Sequence, residues 1–335
     1  MTPVLPVADI MSSITSVLDA ISSFWANLAA VNWVALLFGL TVFVIYQSFR
    51  SRAAFNILRA AYPDEEIGFR YIWGAYMAGY GFNSVMPARS GDIVRLFLTK
   101  TSVPNSTYSA VAAAMMSELI FDGVMAVFIL TFAFSQGVFP KPPDFSSLAS
   151  FDLAFFAQHP DFTVFMITFS AVAVLVILAM LSARIQSFWA RVRQGLTMLR
   201  DRRRYLREVF LLQFIGWCFR FTAFWMFLEA FHVGGSVHNV LLMLGINAVG
   251  ALVPITPQGA GIQQALILQV FGGVATASVV AAYSVGQQIA IASTMFAIAF
   301  ACIFFLFGFR SFKDIIAAGK AERAAEKQAA GARAG

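Results

Sequence analysis

Charge is scarce in this sequence. Only 12% of its 335 residues are Asp, Glu, Lys or Arg and 59% are hydrophobic, whereas soluble domains carry roughly 25% charged residues, so a water-facing globular surface is excluded. Between residues 230 and 309 there is no Asp, Glu, Lys or Arg at all. Cys218 and Cys302 are the two cysteines, both inside apolar runs, and they supply neither a disulfide framework nor a cysteine-based metal knuckle. His232 and His238 have no third ligand type beside them, so no metal site is expected, and nothing implies a cofactor. Residues 1 to 49 contain no Lys or Arg, which removes the positive start of a secretory signal, and no cleavage is expected. The longest loops hold no DxD, GxGxxG or GxSxG, so no nucleophile or donor pocket is visible and the chain reads as a non-enzyme.

What is present instead is apolar length. Stretches at about 28 to 49, 107 to 135, 162 to 183, 208 to 231 and 277 to 308 each reach the 18 or so residues needed to cross a bilayer, and each reads as a helix. The net charge of +6 does not point to nucleic acid, because the bases cluster in short loops and the tail. Arg50, Arg52, Arg59 and Arg70 place the loop 50 to 70 on the cytoplasmic side. The arginines of 184 to 207 and the tail after Arg310 lie there too, and 136 to 161, with Lys141 alone, lies outside.

That topology fixes two remaining apolar regions. Residues 71 to 98 must enter and leave by the cytoplasmic face, and residues 239 to 275 by the outer one. Tyr71 to Met86 covers roughly 24 Å of helix at about 1.5 Å per residue, too short to cross alone. Each region breaks at proline and glycine, "PARSG" at 87 to 91 and "PITPQGAG" at 254 to 261. The expected fold is an all-α polytopic membrane helix bundle with two re-entrant hairpins in an inverted repeat, the arrangement in which broken helices frame a binding site. Asn83, Pro87 and Gly91 run in the same order as Asn247, Pro254 and Gly259. Residues 1 to 27 form an amphipathic or flexible segment with an outside N-terminus, 28 to 310 a single transmembrane domain and 311 to 335 a cytoplasmic tail.

Irregular backbone at membrane depth needs a cavity or packed protein around it, which focuses attention on Arg89, Asp92 and Arg95. Arginine binds phosphate in bidentate fashion and the helix opening after Gly91 offers amides to the same anion, so Arg89 and Arg95 are candidate substrate contacts. Glu118 and Asp122, four residues apart, share a helix face near mid-bilayer, where a lone carboxylate costs at least about 2.5 to 3.5 kcal/mol. Pairing with Arg89, Arg95 or Arg220 is expected, and the pair reads equally well as a structural salt-bridge cluster or as part of the site. In the second region Asn247, Thr256, Gln258, Gln263 and Gln264, followed by Gln287 and Gln288, can either line a headgroup path or bond helix to helix.

These residues resemble the lysylphosphatidylglycerol synthase transmembrane (flippase-like) family, whose motif Pro-x-Arg-x-Gly-(Glu/Asp)-x-x-Arg after an Asn matches Asn83, Pro87, Arg89, Gly91, Asp92 and Arg95. Glu118 and Asp122 match the family's next span, and Pro254, Thr256, Pro257, Gly259 and Gly261 its late motif. The resemblance covers about 30 to 310. Gln258 stands in place of a family glycine, Gln264 of a glutamate, and "VGQQIA" at 285 to 290 where an arginine is usual. It implies a stand-alone membrane domain, without the synthase portion, that moves a phosphate-bearing lipid across the cell (inner) membrane with a cytoplasmic C-terminus. The substrate-binding set is then Arg89, Arg95, Asp92, Asn83, Glu118, Asp122, Asn247, Thr256, Gln258 and Gln264. The expected partner is a membrane lipid with an anionic headgroup. Rival readings are a non-catalytic partner of a membrane synthase and a lipid-modifying transferase, and a homo-oligomer is compatible with all three.

Overall fold

The structure, a computed structural model, describes residues 22–23, 26–87, 89–136, 196–251 and 259–309. The expected span at 162 to 183, Thr256, Gln258 and the tail from residue 310 lie outside these residues. Among the described residues every regular element is helical: α1 (Trp33–Ala61), α2 (Phe69–Val85), α3 (Ser90–Ser102), α4 (Tyr108–Ser135), α5 (Arg202–Ala230), α6 (Val237–Ala251), α7 (Ile262–Phe271) and α8 (Ala277–Phe305). Four of them, α1, α4, α5 and α8, are long and apolar enough to cross a membrane. Their outer faces carry Phe38, Val127, Phe128, Ile289 and Phe300, all exposed, as lipid-facing surfaces require.

The first span differs from the sequence expectation. Its helix does not stop at residue 49 but continues through Arg50, Arg52 and Arg59 to Ala61, with Tyr62 as the C-cap. Arginine is a good helix former, and the stop comes from Pro63, which disfavours the helical conformation of the residue before it. At the other end Asn32 caps the helix, its side chain accepting from the Ala35 amide at 3.2 Å. α5 likewise begins earlier than expected, and its second turn widens to π geometry over Leu206–Phe210, beside which Asn56 Nδ2 donates to the Glu208 carbonyl at 2.8 Å.

α1 and α5 lie antiparallel along their length. The Asn32 amide donates to the Ala230 carbonyl at 2.8 Å, Gly39 meets Phe227, and Gly216 meets Tyr46 and Phe49. α2 and α3 form a helical hairpin in which Gly91 sits on the backbone of Gly79 and Asn83; a Cβ on Gly91 would lie 2.1 Å from the Gly79 carbonyl oxygen. α6 and α7 form a second hairpin, where Gly259 sits on the Gly250 backbone. Each hairpin also leans on the last span of the other half: α2 on α8 through Gly81 against Met295 and Ala299, and α6 on α4 through Gly245 against Ala133.

Among the described residues the order long helix, hairpin, long helix therefore occurs twice, as α1 to α4 and as α5 to α8. Exchanging the halves carries the α2–α8 packing onto α6–α4, the α3–α4 packing onto α7–α8, and the central α1–α5 pair onto itself. One large apolar core runs through the centre, from Leu40, Phe43 and Tyr46 on α1 to Phe224 and Phe227 on α5 and Tyr283 on α8.

Candidate functional site

Two buried ion pairs stand beside the first hairpin. Arg95, in the second turn of α3, donates through Nη2 to Glu118 Oε1 on α4, and the two side chains are 15% and 3% exposed. Its guanidinium also lies over the Tyr76 ring of α2, 4.0 Å from the ring centroid. One turn along α4, Asp122 is held in a fork by Arg50 of α1, Nη1 to Oδ1 at 2.8 Å and Nη2 to Oδ2 at 2.6 Å. Arg50 Nη1 also reaches the Tyr46 hydroxyl at 3.3 Å. Tyr76 lies within electrostatic reach of Arg50, Arg95 and Glu118, so the two pairs form one network across α1, α2, α3 and α4.

The local sequence explains the placement. Arg95 follows Gly91 by one helical turn, and its stem packs on Gly79, where a Cβ would come within 2.6 Å of Arg95 Cβ. Asn83 Nδ2 donates to Asp92 Oδ1 at 2.8 Å and clips the two limbs of the hairpin together. Arg89 caps α3 with φ of 52°, in the left-handed region that a residue with a side chain adopts at a cost of roughly 1 to 2 kcal/mol. Its side chain is exposed at the tip and, among the described residues, pairs with no carboxylate. The amides of Ser90 and Asp92 donate to the Pro87 and Arg89 carbonyls at 3.3 and 3.0 Å, so this turn uses part of the anion-binding capacity expected of the helix start.

The structure thus brings Arg95 to Glu118 and Asn83 to Asp92, and it keeps Arg89 apart from them. Asp122 takes Arg50, which a count of loop charges places among the topogenic arginines of 50 to 70 and the structure places on α1. The missed signal was the unbroken helical sequence from Arg50 to Ala61, free of glycine and proline until Pro63. Arg220, expected as a partner of the carboxylates, pairs with neither and lies against the rings of Tyr46, Trp217 and Phe224.

In the second half Gln264 Nε2 on α7 donates to Gln288 Oε1 on α8, and Gln264 Oε1 accepts from the Gly261 amide at 2.5 Å. The contact joins the second hairpin limb to the following span, as Arg95 and Glu118 do in the first half. The two glutamines that replace the charges usual in the resembled motif are therefore partners of each other. Asn247 lies on α6 with a buried Nδ2 that has no partner among the described residues. Ring nitrogen Nε2 of His232 is 3.0 Å from the Ala30 carbonyl and the His238 ring lies against Phe132, so both serve local packing; no group of three metal-ligating side chains occurs among the described residues.

Compared with known proteins, residues 11–301 match the model of the family described as lysylphosphatidylglycerol synthase TM region. No curated protein and no solved structure matches the chain.

Proposed function

From the premise that this chain belongs to the lysylphosphatidylglycerol synthase TM-region family, a membrane domain related to lipid handling, we propose that it moves a phosphate-bearing lipid across the bilayer. The observation that carries the reading is the buried ion-pair network beside a broken helical hairpin. Ionisable groups at membrane depth are expensive and are usually retained where a polar path needs them. In this reading both hairpins are re-entrant, inserted from opposite faces of the cell membrane, and the C-terminus is cytoplasmic. The protein acts as a transporter rather than an enzyme, and the partner is a lipid with an anionic headgroup.

The exposed guanidinium of Arg89 meets the phosphate at the hairpin tip. Arg95 gives one donor to Glu118, and its remaining N–H groups are available to a phosphate oxygen. Glu118 and Asp122 keep two arginines charged and oriented, and Asp92, clipped by Asn83, fixes the tip. The headgroup crosses between the hairpins while its acyl chains stay in the bilayer.

The test is a scrambling assay in reconstituted vesicles with a fluorescent anionic phospholipid. Arg89→Ala leaves the left-handed backbone equally strained and removes only the guanidinium, so transport should fall at least about tenfold, the loss of one charge-assisted contact, with thermal stability unchanged. Transport at the parent rate in Arg89→Ala and Arg95→Gln together would sink the reading.

A further inference from the structure

We propose that Arg220 forms a second phosphate-holding position, between α1 and α5, for the same lipid headgroup; the inference rests on the transport reading above and extends it. Arg220 is ten residues from Ala230 at the end of α5, roughly 15 Å of helix, which puts it deep within the span. It is half-buried and, among the described residues, has no carboxylate within ion-pair distance. Asp122 follows Phe121, whose ring is 6.4 Å from that of Trp217, but both Asp122 oxygens are engaged by Arg50. With Arg50 and Arg95 each neutralised by a carboxylate, no carboxylate among the described residues compensates the charge of Arg220.

Three rings hold it in place. The guanidinium carbon lies 5.0 Å from the Trp217 ring, 5.7 Å from Phe224 and 5.8 Å from Tyr46. Ring faces attract the cation without accepting its hydrogen bonds, so among the described residues its N–H groups remain free for an acceptor. The α1–α5 seam also holds buried polar atoms with no partner among the described residues: the donors Trp217 Nε1, Gln47 Nε2 and Arg50 Nε, and both the donor and the acceptor atom of the Gln213 amide. Gln47 and Gln213 are 1% and 0% exposed. The antiparallel register sets Tyr46 and Phe49 against Gly216, so Gln47 and Arg50 on α1 lie at about the same level of the seam as Gln213 and Trp217 on α5.

A buried polar group normally finds a partner, and orphaned donors on the same seam as a cation that has no carboxylate partner among the described residues fit an acceptor-rich anion. A phosphate ester supplies several acceptor oxygens and a negative charge, which matches this set; a neutral headgroup satisfies the donors but leaves the arginine uncompensated. The site lies near the Arg50–Asp122 pair, so a phosphate released from the hairpin would find its next cation here.

Binding is measured by thermophoresis on the full chain in mild detergent, with three probes: dioleoyl phosphatidylglycerol, dioleoylglycerol with the same tails and no phosphate, and glycerol 1-phosphate with no tails. The parent should prefer phosphatidylglycerol to dioleoylglycerol. Arg220→Gln should weaken phosphatidylglycerol binding roughly tenfold or more, as loss of a charged hydrogen-bond donor implies, with Arg220→Lys intermediate. Trp217→Phe keeps a ring and deletes one N–H, and should weaken it several-fold even if Arg220→Gln folds poorly. Dioleoylglycerol binding should not respond to either change. Parent-like phosphatidylglycerol binding in Arg220→Gln, or in Trp217→Phe where the former does not fold, overturns the inference and leaves transport through Arg89 and Arg95 standing. Equal binding of phosphatidylglycerol and dioleoylglycerol by the parent overturns both. Competition by glycerol 1-phosphate at comparable concentration also overturns the inference, since the site would then read a soluble ester rather than a lipid.

Discussion

Glu118 is 3% exposed and takes its charge compensation from Arg95, so neither side chain can lose the other cheaply. Removing one member of a buried pair leaves an uncompensated ion, at a cost of about 3 to 5 kcal/mol, whereas replacing both by apolar groups of similar volume is often neutral. Glu118→Gln should therefore lower the thermal unfolding temperature sharply in detergent. Arg95→Met combined with Glu118→Leu should recover most of that loss. The same double variant separates the two roles open to the pair: a pair that only pins the hairpin leaves vesicle transport intact once stability is restored, and a pair that serves the headgroup does not. We expect stability to return and transport to stay abolished.

The two limbs of the first hairpin approach closely because glycine allows it. At Gly91 an added Cβ would lie 2.1 Å from the Gly79 carbonyl oxygen and 2.6 Å from the Asn83 amide nitrogen, both backbone atoms that cannot step aside. Gly91→Ala should separate α2 from α3, break the Asn83–Asp92 clip and cost more than about 3 kcal/mol, in the range of severe overpacking. Gly123, on α4, has nothing within 4 Å of the same atom, so Gly123→Ala should stabilise the helix by up to about 1 kcal/mol. Thermal melts of the two variants side by side check this, and similar behaviour would contradict the hairpin packing. Proline and glycine at 87 to 91 and 254 to 261 made both helix breaks legible in the sequence, because their backbone limits are local. The ends of α1 and α5 were not legible in the same way. Arginines in a helix and arginines in a loop look alike to a charge count, and Pro63 rather than Arg50 decides where α1 stops.

Which cation meets which carboxylate belongs to the whole molecule. Glu118 and Asp122 were readable as neighbours on one face, but they turn to different helices, α3 and α1, because the order of packing around α4 sets the partner and no spacing in the chain encodes it. Among the described residues the order long helix, hairpin, long helix recurs, and the exchange of packing between its two occurrences has a testable consequence. Arg95 with Glu118 and Gln264 with Gln288 join corresponding elements, so the second contact should accept an ion pair as the first does. Gln264→Glu alone, or Gln288→Arg alone, leaves a single charge at membrane depth and should cost at least about 2.5 to 3.5 kcal/mol. Combined, each charge finds its counter-ion across the existing α7–α8 contact, and the double variant should be more stable than the sum of the single losses by roughly 1 to 3 kcal/mol, read as the coupling in a double-mutant cycle of unfolding free energies. Strict additivity would mean that the two halves do not share this contact geometry. Given coupling, the second half gains the polarity of the first, and under the proposed transport reading headgroup selectivity in the vesicle assay should shift while the fold is retained.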